Sequence, residues 1–133
     1  MKVSSINKQI AKTRFILDHC GNGAARNPNQ AQWEKDMKAL AQRPNIVCKV
    51  SGIIKTIPKG SDPVKELSPI VLPTIEAFGW DRVMFGGDWP VCNLISSFKG
   101  WVETLEKIVQ DHSDEEKKKL FHDNAVTFYG LGA

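Results

Sequence analysis

Short apolar runs alternate along this chain with longer stretches whose apolar residues recur at helical spacing. Phe15-Ile16-Leu17-Asp18-His19-Cys20, the run from Asn45 to Gly52, and the run from Arg82 to Asp88 each begin apolar and end polar or small. Runs of this kind predict strands. Between them, Trp33, Met37, Leu40 and Ala41 lie on one helical face and predict a helix over Gln30 to Arg43, ended by Pro44. Asp62-Pro63 reads as an N-cap with proline at the first helical position, and Ser68-Pro69 repeats that signal. Val71, Leu72, Ile75 and Phe78 carry the helical pattern on to Gly79, a C-cap residue, with Pro73 as a kink. Phe98, Trp101, Val102, Leu105, Ile108 and Val109 form another stripe. Ser113 with Glu116 is a capping box opening a helix through Leu120 and Phe121, and Asn124 to Leu131 reads as a docked tail.

Strand and helix in alternation predict an α/β fold with a parallel sheet and right-handed crossovers. His19, Lys49 and Asp88 are spaced by about one βα unit each, and a unit of a (β/α)8 barrel takes roughly 30 residues. The chain therefore holds about three such units in a single domain over 1–133, with Met1 to Arg14 as the end of a preceding helix. About three parallel strands do not close a barrel in one copy. Their edges and inward side chains stand open to water or to another chain.

Composition changes this picture little. Of 133 residues, 41% are apolar and 25% charged, with a net charge of +3, which are ordinary globular values. The mixed run Glu115 to Lys119 reads as a solvated helix face, and no nucleic-acid motif is present. No segment has the length of apolar sequence that a membrane helix needs. Three cysteines without metal-like spacing, in a chain whose start lacks a signal-peptide pattern, predict reduced thiols in a cytoplasm.

Candidate chemistry gathers at the strand ends. In Val83-Met84-Phe85-Gly86-Gly87-Asp88-Trp89-Pro90, an apolar strand gives way to two glycines and a carboxylate. Parallel α/β proteins place their chemistry at that edge. Alternation puts Phe15, Leu17 and His19 on one face of the first strand, Val47, Lys49 and Ser51 on one face of the second, and Met84, Gly86 and Asp88 on one face of the third. Lys49 would lose its hydration against the helices, so it is expected in the mouth, and His19 and Asp88 with it. Other readings stand beside these. His19 also fits a hydrogen-bonded strand-end residue, Asp88 a cap, and Lys49 an ion-pair partner of Asp88. Asp18 reads as a loop acceptor facing away from His19, Ser51-Gly52 as a turn, and Trp89 as a lid, a substrate wall or core. Cys92 has no base near it in sequence, and His112 and His122 read as surface residues.

Ile16-Leu17-Asp18-His19-Cys20-Gly21, Cys48-Lys49-Val50-Ser51-Gly52, Phe85-Gly86-Gly87-Asp88-Trp89-Pro90-Val91-Cys92 and Asn124-Ala125-Val126-Thr127-Phe128-Tyr129-Gly130-Leu131 occur in order. Together they resemble the carboxyl-terminal half of the amidohydrolase-related (amidohydrolase 2) family, nearest its sugar-lactone and dicarboxylate-lactone hydrolases. The resemblance implies the C-terminal part of a (β/α)8 barrel and hydrolysis of a lactone, ester or amide. It implies that Asp88 is the strand-eight general base on water, and that His19 is the strand-six histidine, a metal ligand or a carbonyl-polarising group. Lys49, with Ser51 and Trp89, would hold a small-molecule carbonyl substrate. One divalent, zinc-like ion on His19 and Asp88 is implied for some members, and no metal for others. The His-x-His pair of the family's strand one has no counterpart among His19, His112 and His122. The site is therefore expected to need a missing N-terminal half or self-association, and the alternative is a non-catalytic truncated remnant or assembly subunit.

Overall fold

The computed structural model describes residues 9–132. Three strands, β1 (Phe15–Leu17), β2 (Ile46–Val50) and β3 (Val83–Phe85), form one parallel sheet in chain order. The helices are α1 (Gln30–Ala41), α2 (Pro63–Phe78), α3 (Phe98–Ile108), α4 (Asp114–Lys118) and α5 (Asn124–Tyr129), with a π-helical turn at Lys119–Asp123 joining the last two. Each predicted strand exists but is shorter than its apolar-to-polar run. The part of the expected leading helix over residues 1–8 lies outside the described residues, and residues 9–12 are helical.

Cap chemistry fixes the starts of α2, α3 and α4. The Asp62 carboxylate accepts from the Val64 and Lys65 amides, Ser97 accepts from Gly100, and Ser113 and Glu116 close a reciprocal box. The second start signal, Ser68-Pro69, fails, because α2 runs through both Pro69 and Pro73. A proline in a helix orphans the carbonyl four residues earlier. For Pro73 that carbonyl belongs to Pro69, and the Gln30 side chain of α1 donates to it at 2.9 Å. Tertiary contact thus offsets a local break.

The register separates two faces. Phe15 and Leu17 pair with Ile46 and Cys48, Cys48 with Val83, and Val50 with Phe85. This side packs on the helices: Cys48, Val50 and Val83 share a core with Met37, Leu67, Val71, Trp101 and Leu105. The other side carries Ile16, Val47, Lys49 and Met84. It is the side a closed barrel would turn inward. Met84 is only 1% exposed there and borders a cavity walled by Asn124, Thr127 and Phe128 of α5. Among the described residues, no helix is long and apolar enough to cross a membrane.

Candidate active site

Residues at and just beyond the carboxyl ends of the strands, with Tyr129 from the end of α5, line one concavity of about 480 Å³, bounded by Asp18, His19, Lys49, Ser51, Gly86, Asp88 and Tyr129. His19 reaches it by a route that alternation did not predict. Since Leu17 faces the helices with Cys48, a continuing strand would send His19 into the core and Asp18 into the mouth. The strand instead stops at Leu17, and His19, Cys20, Gly21 and Asn22 all take positive φ, at 54°, 50°, 60° and 58°. This left-handed turn is costly for residues other than glycine. It swings the imidazole back to the mouth while Cys20 drops into the core, 0% exposed. Asp18 keeps its strand-face direction, so the expectation that it faces away from the site is corrected.

Asp18 also takes the partner expected for Asp88. Its Oδ1 lies 3.2 Å from Lys49 Nζ. Burial lowers the Lys49 pKa, but the Asp18 carboxylate and the Tyr129 hydroxyl more than offset this and hold it above its ordinary value. Asp88 faces His19 instead, with Oδ1 3.9 Å from Nε2, beyond direct hydrogen-bond range. Asp88 too is left-handed, at φ 49°. The chain bends at Gly52, and Ser51 before it is buried. It is 1% exposed, and its Oγ lies 2.8 Å from Nδ1 of His19. Trp89, expected at the substrate, is 70% exposed and does not border the concavity. Tyr129 does border it, and no signal local to its sequence pointed there.

Glycine makes the room. A Cβ on Gly86 would meet Lys49 Cδ and Ser51 Cβ, each at 2.8 Å. The strand end is then tied back to the core, where the Trp101 indole donates to the Gly86 carbonyl at 2.9 Å. The thiols play no part here. Cys20, Cys48 and Cys92 are free and buried, and contact with Cys20 together with burial pushes the Cys48 thiol up, away from the reactive thiolate. His112 tilts against the Trp80 ring, and His122 pairs with Asp123.

A carboxylate and an imidazole thus converge at the carboxyl ends of parallel strands, and the amidohydrolase family model matches residues 1–131. The chain belongs to the amidohydrolase family. It is 39% identical over 92% of its length to the uncharacterised protein y4mH of Sinorhizobium fredii, covering 40% of that protein. It is 30% identical over 88% of its length to the L-fucono-1,5-lactonase of Burkholderia multivorans, covering 43% of that enzyme. A crystal structure of a Burkholderia multivorans amidohydrolase with bound zinc superposes with a TM-score of 0.85 at 29% identity, over 98% of this chain and 48% of that one. The putative 2-pyrone-4,6-dicarboxylic acid hydrolase of Pseudomonas putida shares the fold, with a TM-score of 0.74 at 22% identity, over 98% of this chain and 49% of that one. This amidohydrolase chain is thus three parallel strands of a TIM-barrel fold with an open sheet, and it spans 40% to 43% of these curated relatives.

The zinc of the Burkholderia structure sets a test for these residues. Among the described residues, no three His, Cys, Asp or Glu side chains are grouped to hold a metal. His19 and Asp88 make two, and Asp18 is engaged with Lys49. Zinc sites take three or four protein ligands. This half therefore does not fit a metal by itself, and no step below runs through one.

Proposed function

We propose that this chain carries the strand-six-to-eight half of a lactone-hydrolase site. Asp88 takes a proton from the attacking water and returns it to the leaving oxygen, while His19 polarises the carbonyl. The observation that carries this reading is the approach of the Asp88 and His19 side chains across one open mouth. A carboxylate acts as general base where it can reach the water, and Asp88 lines the open concavity. The charge around this half favours a neutral, hydroxylated ring over a dicarboxylate. Asp18 and Asp88 outnumber Lys49, and Asp18 already neutralises the one ammonium. The lactonase relatives support the same substrate class. The remaining site groups, including any further metal ligands, come from a complementary half or from a second copy.

Hydrolysis of a neutral sugar 1,5-lactone and of a dicarboxylate lactone, followed by proton release over a range of protein concentrations, tests this. Activity on the neutral lactone that rises more steeply than protein concentration supports a site completed by association. A second reading, a non-catalytic remnant or assembly subunit, is favoured by the lack, among the described residues, of three His, Cys, Asp or Glu side chains grouped for a metal. No hydrolysis of either lactone at any concentration, with or without added zinc, removes catalysis by this chain alone and leaves the second reading standing.

A further inference from the structure

The His19 ring sits between two neighbours with different requirements. Nδ1 lies 2.8 Å from Ser51 Oγ, and Nε2 lies 3.9 Å from Asp88 Oδ1. A neutral imidazole has one N–H, on either nitrogen. A serine hydroxyl donates or accepts, so it satisfies Nδ1 in both forms, whereas an ionised carboxylate only accepts. Asp88 is therefore the neighbour that discriminates. With the proton on Nε2, an N–H faces the carboxylate. With the proton on Nδ1, a lone pair faces it across the same gap. Ser51 then has one role left, to donate. Its side chain is 1% exposed. Gly52 completes the seat. At φ +66°, a Cβ there would lie 2.5 Å from Nδ1 and 2.6 Å from Cγ of the ring, so the imidazole rests on bare backbone.

We infer that Ser51 is a positioning residue whose hydroxyl donates to Nδ1 of His19, with the single proton of the neutral ring on Nε2 and turned to the mouth. His19 is then a hydrogen-bond donor toward a carbonyl oxygen, and proton abstraction is left to Asp88. In this form Nε2 has no lone pair to offer a metal ion. The tautomer follows from the geometry around the ring, while the role assigned to it rests on the lactone reading above.

Long-range proton–nitrogen correlation spectra of the full chain, labelled with ring-15N histidine, test the tautomer without any activity. They are recorded above the pH range in which the ring protonates, and His19→Gln identifies the resonances. The expected wild-type pattern is a protonated, pyrrole-type Nε2 and a pyridine-type Nδ1 displaced by an accepted hydrogen bond. Ser51→Ala should abolish that displacement, and Ser51→Thr, which keeps a hydroxyl, should restore it. A proton on Nδ1, a doubly protonated ring, or an Nδ1 resonance that does not move in Ser51→Ala overturns the inference. The wild-type spectrum decides the tautomer even if Ser51→Ala does not fold. An inactive chain with the expected spectrum would remove the lactone reading and leave the inference intact.

Discussion

The two ends of the sheet use their polar residues in opposite ways. At the amino end, the residue before each strand serves backbone. Arg14 donates to the Phe128 carbonyl, Asn45 to those of Ile10 and Thr13, and Arg82 to those of Ala41, Arg43 and Ile46. At the carboxyl end, Asp18, His19, Lys49, Ser51 and Asp88 face one another or open space. One end satisfies carbonyls and holds the layers together. The other turns its polar groups into one mouth, with Lys49 paired to Asp18, at the cost of left-handed backbone at His19 and Asp88. Being polar therefore says little about what a strand-end residue does. Which end it occupies says a good deal.

The widest gap between the ends should appear in Asp88→Asn. Its stability should stay within about 0.5 kcal/mol of wild type, while any lactone hydrolysis falls by about 10²–10⁴-fold. Equal loss of stability in urea denaturation would erase the distinction. Arg82→Ala is the converse. It removes donors to three carbonyls and packing over the Phe78 ring, and should cost about 2–4 kcal/mol while leaving the His19 nitrogen spectrum unchanged. Gly52→Ala crosses the boundary. It imposes a Cβ on the His19 ring at positive φ, so about 1–3 kcal/mol should be lost and the His19 resonances should move. The smallest effect is electrostatic. The Lys49 pKa is raised in the folded chain, so its contribution is complete below the ordinary value of 10.5 and fades as pH rises through the folded value. Asp18→Asn should flatten that alkaline decline in a pH series of unfolding midpoints.

What could be read in advance was whatever depended on near neighbours in the chain. Asp62-Pro63 and Ser113 with Glu116 cap helices through residues two or three positions away. The parallel order follows from apolar runs that share one polarity. The errors arise where a distant group decides. Ser68-Pro69 carries a start signal, yet Gln30 from another helix supports the run through Pro73. His19 was placed on the right edge for the wrong reason, because alternation holds only while the strand lasts. The Gly21-Asn22-Gly23 composition was the available sign that it does not. Asp88 and Lys49 were both placed in the mouth, but the partner of Lys49 depended on the direction of Asp18. Tyr129 arrives from the far end of the sequence.

Asn124 has a consequence for how the sheet can grow. Val83 and Phe85 turn their backbone groups away from β2, because the Gly86 amide points toward it and directions alternate along a strand. The Asn124 amide occupies the Val83 carbonyl on that outer side. An open edge is a template that any extended chain can add to, whether the intended partner or an aggregating neighbour. With one carbonyl of β3 already taken and α5 lying over the adjacent face, addition at that edge carries a toll. A strand joining there must first displace a side chain that mimics its own backbone.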